Sequence, residues 1–293
     1  MQIGFIGLGT MGLPMASTLV AAGHGVAGFD LSSTARNAFG QAGGTPTDSP
    51  ADAMANAEAI VTMLPEGRHV REVLSTEFLN NLPAGRLLVD CSTIDVTTAR
   101  DLAKFAQELG HSFVDAPVSG GAEGAGSGAL AFMTGGEADA VARAQPLFDA
   151  MGNKTLHFGP AGAGHAAKAC HNMICGITAL GVCEAFALAD GLGLDHDAFF
   201  DLCRNAAAQS WILENRCPVP GPAPAAPSSN GYAPGFAARL MAKDLGLAQE
   251  AAKACGQETP FGAQAARRFA AFTQETGGNL DFSAIYETVR KSR

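Results

Sequence analysis

The stretch MQIGFIGLGTMGLPMA (residues 1–16), read together with Asp30, decides the fold. Residues 2–6 form a short apolar run, and Gly7-Leu8-Gly9-Thr10-Met11-Gly12 follows directly as G-x-G-x-x-G. The hexad alone is weak, because a chain with 36 glycines produces such spacings by chance. Its setting is specific: a strand pattern before it, a helical pattern after it, and Asp30 at the end of the next apolar run. Gly7 serves the tight turn, Gly9 the close approach of a pyrophosphate, and Gly12 the packing of helix on strand. Backbone N–H groups and the positive end of the helix dipole then face the phosphates. A carboxylate at Asp30 accepts hydrogen bonds from both ribose hydroxyls and repels a 2′-phosphate, which selects NAD over NADP. Leu31, Ser32 and Ser33 follow it, with no arginine placed to bind such a phosphate, and Arg36, the nearest cation, is expected to face solvent.

Outward from this unit the same alternation continues. Strand patterns fall at 2–6, 25–30, 59–63, 87–91, 112–116 and 131–134, with helical spacing at 11–22, 33–41, 70–77, 97–108 and 137–151. Strands alternating with helices imply a doubly wound, mostly parallel sheet. The fold class is therefore α/β: an N-terminal Rossmann-type domain over residues 1–162, followed by an all-helical C-terminal domain over 163–293. In the second part strand patterns vanish, and helices are expected at 165–192, 196–207, 236–255, 261–275 and 282–290. The segment CPVPGPAPAAPSSNGYAP (residues 217–234) carries six prolines and is expected to be an ordered, extended loop, since prolines lose little entropy on fixing.

The formal net charge of −9 argues against nucleic acid or an anionic membrane surface as a partner. Seven scattered cysteines with no C-x-x-C pair read as reduced thiols, and no zinc-ligand spacing is present, so no metal is expected. The chain begins directly on a strand pattern without a signal-peptide profile, and the apolar stretch 173–189 is interrupted by Glu184 and glycines, too mixed for a membrane span. A cytoplasmic protein is expected.

Lys168 and Asn172 are four apart in a helical stretch and project from one face. Lys168 is the only lysine between residues 155 and 200 and is flanked by glycine-rich sequence that permits a ligand's close approach. His165 and His171 are competing proton carriers, though each is more often structural. Asp115-Ala116-Pro117-Val118-Ser119-Gly120-Gly121 ends a strand pattern, where ligands bind in open α/β sheets. Successive N–H groups of Ser119, Gly120 and Gly121, with the serine hydroxyl, make a candidate carboxylate site.

Several motifs occur in a fixed order: GFIGLGTMGLPMA, Leu64-Pro65, Asp90-Cys91-Ser92-Thr93-Ile94-Asp95, DAPVSGG, the run from Gly164 through Lys168 to Asn172, and Leu240-Met241-Ala242-Lys243-Asp244-Leu245. Together they resemble the β-hydroxyacid dehydrogenase family over nearly the whole chain. The resemblance implies an NAD-dependent oxidoreductase acting on a small hydroxy acid, with Lys168 as catalytic acid/base and Asn172 orienting the substrate. It implies that Ser119, Gly120 and Gly121 hold the substrate carboxylate. Leu64, Pro65, Thr93 and His69 would contact the cofactor, and Lys243, with Asp244 beside it, would lie near nicotinamide and substrate. Free lysine titrates near pH 10.4, about four units above the ordinary histidine value; burial and Lys243 should lower that value for Lys168. Two positions depart from the family pattern: His171 stands where an amide is common, and Val96 where proline often follows the aspartate. Tartronate semialdehyde reductases, 4-hydroxybutyrate-type dehydrogenases and imine reductases share the scaffold and are the alternatives; imine reductases commonly lack the lysine, and a non-catalytic NAD-binding protein would be expected to have lost it. The Ala- and Cys-rich helical domain has more apolar surface than it can bury alone, so a homodimer or homotetramer through that domain is expected.

Overall fold

The computed structural model describes residues 1–291; Ser292 and Arg293, the end of the expected 163–293 domain, lie outside the described residues. The chain divides into two compact units, Met1–Lys168 and Ala169–Arg293. The division follows Lys168 rather than residue 162.

The first unit contains β1 (Gln2–Ile6), α1 (Gly12–Ala21), β2 (Gly25–Phe29), α2 (Ser33–Gln41), β3 (Thr45–Pro46), α3 (Pro50–Met54), β4 (Ala59–Thr62), α4 (Gly67–Val73), α5 (Thr76–Leu79) and β5 (Leu87–Asp90). It continues with α6 (Val96–Glu108), β6 (Ser112–Asp115), β7 (Val118–Ser119), α7 (Gly121–Gly126), β8 (Leu130–Gly136), α8 (Ala138–Met151) and β9 (Gly152–Gly159). The nine-stranded sheet runs β3-β2-β1-β4-β5-β6-β8-β7, with β9 beside β8. Pairing is parallel from β3 through β6 and antiparallel where β8 meets β6 and β7. Strands β4 and β5 are buried at every position, as expected where helices cover both faces. Neighbours on a strand point to opposite faces, so Phe5 joins one core with Met15, Leu19, Phe132 and Phe148. Ile6 joins the other, with Ile60, Leu88 and Leu102. Side-chain caps fix the starts of two crossover helices: Ser32 accepts from the Ala35 N–H, and Asp95 from the Thr98 N–H.

The expected helix at 70–77 is two short helices, because Leu74 leaves the helical region at φ −92° and ψ 44°. Strand β9 was not expected from the sequence. It is an edge strand whose Leu156 and Phe158 face solvent, so its apolar residues carry no burial pattern.

A helix, α9 (Ala163–Leu192), continues from the first unit into the second. It is followed by α10 (His196–Arg204), α11 (Trp211–Asn215), α12 (Ala238–Cys255), α13 (Pro260–Thr276) and α14 (Tyr286–Lys291). Two 3₁₀ turns, Pro227–Asn230 and Phe282–Ile285, complete the unit. Its core gathers Phe186, Phe200, Phe269, Phe282, Ile285 and Tyr286. Contrary to the sequence expectation, α9 is long and apolar enough by length and composition to cross a membrane, since Glu184 and the glycines interrupt it too weakly. In this fold it supplies Ala179, Leu180, Cys183 and Phe186 to a folded core.

The segment 217–234 is ordered, and the reason is local. Four residues collect the carbonyls that its prolines leave exposed: Ser228 donates toward Cys217 and Val219, Ser229 to Ala223, Asn230 to Pro224 and Ala226, and Tyr232 to Pro218. All seven cysteines are free thiols, and Cys91, Cys183 and Cys217 are buried.

Candidate active site

The dinucleotide loop has the geometry its glycines require. Gly7 takes φ +98° and donates to the Phe29 carbonyl at 2.9 Å, while a Cβ at Gly12 would strike the Gly7 carbonyl. Gly9 faces space in which a Cβ meets nothing of the protein within 4 Å, and Gly9 and Thr10 are exposed. The Leu8 side chain is buried in the core and the Met11 side chain packs against it. Asp30 Oδ2 accepts the Leu8 N–H and Oδ1 the Ser32 N–H, each at 2.8 Å, which fixes the carboxylate beside the loop with lone pairs to spare. Open space above Gly9 and a fixed carboxylate one strand away fit a dinucleotide's pyrophosphate and ribose. Arg36 does not point freely into solvent as expected. It donates to the Asp30 carbonyl at 2.7 Å and lies over the Phe29 ring.

Leu64, Pro65 and Thr93 follow the carboxyl ends of β4 and β5, the crevice side of an open sheet. The Leu64 N–H donates to Ser92 Oγ at 2.9 Å, tying these two loops together. His69 lies on α4, half-buried, with Nε2 near the Arg68 Nε.

The Lys168 side chain is buried and donates from Nζ to the Val118 carbonyl at 2.7 Å. Val118 immediately precedes Ser119, so the lysine lies beside the start of the Ser119–Gly120–Gly121 turn. Gly120 and Gly121 take φ +135° and +64°, conformations that other residues rarely adopt. The start of α9 is fixed by Asp115, whose Oδ1 accepts the Gly162 N–H and Oδ2 the His165 N–H. Glycines permit the close approach, because a Cβ at Gly164 would strike the Met133 carbonyl.

Within the helical unit, buried Asn172 donates from Nδ2 to Asp244 Oδ2 and accepts on Oδ1 from His171 Nδ1 at 2.8 Å. Lys243 Nζ lies 3.6 Å from Asp244 Oδ1. With its carbonyl engaged by His171 and one amide hydrogen by Asp244, Asn172 has its second amide hydrogen available for an acceptor. The Asp244 carboxylate, expected beside the cofactor, holds the Asn172 amide. Asp90 was quoted only as part of a motif. The available signal was a carboxylate ending each of two apolar strands, LLVD and SFVD, which stand opposite each other in register.

The sequence family described as the NAD binding domain of 6-phosphogluconate dehydrogenase matches residues 2–159. The family described as NAD-binding of NADP-dependent 3-hydroxyisobutyrate dehydrogenase matches residues 162–289. The 3-hydroxyisobutyrate dehydrogenase of Pseudomonas aeruginosa is 44% identical over 293 residues, covering 99% of this chain and 98% of that protein. The NAD-dependent L-serine dehydrogenase of the same organism is 42% identical over 286 residues, covering 97% and 96%. A solved structure of the Mycobacterium tuberculosis 3-hydroxyisobutyrate dehydrogenase with L-serine superposes with a TM-score of 0.94 at 43% identity, covering 98% of each chain. An imine reductase from Bacillus cereus shares the fold alone, at 17% identity and a TM-score of 0.64. This chain belongs to the family of NAD-binding hydroxyacid dehydrogenases that contains the 3-hydroxyisobutyrate dehydrogenases.

Proposed function

We propose that this chain oxidises 3-hydroxyisobutyrate to methylmalonate semialdehyde, a step of valine breakdown, with NAD and with Lys168 as general acid/base. The observation that carries the reading is Lys168 Nζ, buried and hydrogen-bonded to Val118 O, one residue before the Ser119–Gly121 turn. A base held beside a carboxylate-binding turn addresses the hydroxyl of a short hydroxy acid whose carboxylate the turn retains. Bound NAD supplies the hydride acceptor, at C4 of its nicotinamide ring, for the hydride that leaves the alcohol carbon. Lys168 removes the hydroxyl proton as the carbonyl forms, and in the reverse direction returns it to the aldehyde oxygen. The N–H groups of Ser119, Gly120 and Gly121 bind the carboxylate, and Asn172 offers its remaining amide hydrogen to a substrate oxygen. Lys243, beside Asp244, adds positive charge for the anionic substrate. Leu64, Pro65, His69 and Thr93 flank the cofactor in this reading, and Asp30 favours NAD over NADP.

A second reading is supported by the relatives. One is named an L-serine dehydrogenase, and another was solved with L-serine. L-Serine shares the carboxylate and β-hydroxyl that this site addresses, so it is the competing substrate. The enzyme would be a cytoplasmic homodimer or homotetramer. Support for that assembly comes from the apolar residues Ile174, Leu188 and Leu192, exposed on α9 at helical spacing.

The test is NADH formation with L- and D-3-hydroxyisobutyrate, L- and D-serine, glycerate and 4-hydroxybutyrate, each with NAD and NADP. The reading expects 3-hydroxyisobutyrate with NAD to give the highest kcat/KM, and Lys168→Ala to lower kcat by roughly 10²–10⁴-fold. Preference for serine would transfer the reaction to the second substrate with the same chemistry. A Lys168→Ala enzyme of undiminished kcat would remove the lysine from the mechanism.

A further inference from the structure

Asp90 and Asp115 end adjacent strands and are both buried. A buried carboxylate needs a donor at each oxygen, since desolvation is otherwise uncompensated. Asp115 meets that need with the first N–H groups of α9. Asp90 Oδ1 accepts the Thr62 hydroxyl at 2.7 Å and the Ser92 N–H at 3.1 Å. Asp90 Oδ2 has no hydrogen-bond partner among the described residues, and neither has either ring nitrogen of His165. Yet His165 Nε2 lies 3.4 Å from that oxygen, and both side chains are wholly excluded from solvent. A shift of about 0.5 Å closes the pair into an ordinary hydrogen bond.

We propose that His165 is a positioning residue for the acid/base lysine. Its contact with Asp90 couples the first turn of α9 to the loop after β5, so that Lys168 and the cofactor-facing loops are set as one piece. Asp90 is the hub of that coupling. Through the Ser92 N–H it holds the loop carrying Thr93, and through Ser92 Oγ it reaches the Leu64 N–H of the loop after β4. On its other side it meets His165, one helical turn ahead of Lys168. A tilt of that turn displaces Nζ from the Val118 carbonyl and hence from the Ser119–Gly121 turn. His165 itself touches no reacting atom; it acts through Lys168, and the inference rests on the reading of Lys168 given above.

Two substitutions separate this role from plain core filling. His165→Phe keeps the ring and loses the N–H, whereas His165→Gln keeps an N–H donor and loses the ring. The readouts are kcat and KM for 3-hydroxyisobutyrate and L-serine, NADH affinity by fluorescence, and thermal stability. A fourth is the pH dependence of Lys168 acetylation by acetic anhydride, followed by peptide mass spectrometry, which needs no substrate. The expected result is a kcat reduced about 10²-fold in His165→Phe with KM and NADH affinity little changed, the penalty of a small misplacement. His165→Gln recovers most of kcat. The acetylation profile of Lys168 moves in the Phe variant and stays in the Gln variant. In a Lys168→Ala background, His165→Phe costs nothing further, because both changes act on one step.

The proposal is overturned if His165→Phe keeps full kcat and an unmoved acetylation profile, if Gln is as impaired as Phe, or if the two losses add. Should His165→Phe fail to fold, the Gln variant still decides: near-native kcat and an unmoved Lys168 profile support the role, and a large loss of kcat in a folded Gln variant refutes it. An active Lys168→Ala enzyme would sink the lysine reading itself. An inactive Lys168→Ala beside a fully active His165→Phe would sink only the positioning role.

Discussion

The two units hold their polar groups by different means. In Met1–Lys168, side-chain carboxylates at strand ends are satisfied largely by backbone: Asp30 by Leu8 and Ser32, Asp115 by Gly162 and His165. In Ala169–Arg293, side chain often meets side chain, as with Asn172 and Asp244, or Tyr286 and Asp190. Backbone donors are set by the path of the chain, so the first unit depends on residues that permit that path, above all glycines. Side-chain pairs can be removed singly, so the second should lose stability in small, separable steps. The units also differ at the surface. Ile174, Leu188, Leu192, Leu202, Trp211 and Phe261 of the helical unit are more than half exposed, against Leu31 and Phe158 among the large apolar residues of the first.

The sharpest way to break this comparison is at the dinucleotide loop. Gly12→Ala would drive a Cβ into the Gly7 carbonyl, a backbone atom that cannot swing aside. Its expected cost is about 1–3 kcal/mol of stability together with the loss of NADH binding. Gly9→Ala meets no protein atom within 4 Å. It should leave unfolding unchanged while weakening NADH roughly tenfold or more, about 1.4 kcal/mol of binding. Urea unfolding and fluorescence titration of both variants separate the effects. If Gly12→Ala unfolded and bound NADH like the parent, the backbone-defined account of the first unit would fail.

What the sequence could reveal follows the same division. Helix α2 spans residues 33–41 as its pattern predicts, and Lys168 donates to the carbonyl of Val118, the residue before Ser119. Periodicity and local turn chemistry are properties of neighbouring residues, so they survive in a single sequence. Strand β9 was illegible because an edge strand with exposed Leu156 and Phe158 has no buried face to produce alternation. The pairing of His165 with Asp90 was illegible for another reason. It joins residues on separate elements whose meeting depends on the order of β5 and β6 in the sheet, and neither residue's neighbours carry a trace of it. The hydrogen bond between Asn172 and Asp244 was illegible on the same ground, since the two residues lie on different helices.

The proline-rich segment offers a middle-sized test in the helical unit. Ser228 is buried and its single hydroxyl hydrogen is shared between the carbonyls of Cys217 and Val219, at 2.7 and 3.0 Å. Ser228→Ala leaves both acceptors without it, with an expected loss of about 1–2 kcal/mol. The change should appear as a lower urea midpoint and faster elastase cleavage within residues 217–234, with NADH affinity untouched. Unaltered cleavage would mean that proline stiffness alone orders the segment.

The smallest expected effect is also the most diagnostic of side-chain pairing. Near the end of α9, Asp190 receives the Tyr286 hydroxyl on one oxygen and His196 Nε2, at 2.7 Å, on the other. The Tyr286 hydrogen bond, opposed by partial burial and aided by His196 and more distant Arg290, holds this carboxyl below its usual value of 3.8. A folded value below the unfolded one means that the native state binds fewer protons. The contribution to stability is therefore complete above the usual carboxylate value and is lost as pH falls through the lowered folded value. With part of the pair open to solvent, it is worth no more than about 1 kcal/mol. Asp190→Asn should accordingly lower Tm at neutral pH, and the gap from the parent should narrow as pH falls below 3.8. Tyr286→Phe should remove most of the same pH-dependent gap, because its hydrogen bond is the largest cause of the shift. A gap constant with pH would assign the loss to packing around Asp190 rather than to its charge, and would take from the helical unit the separable side-chain pairing that distinguishes it from the first.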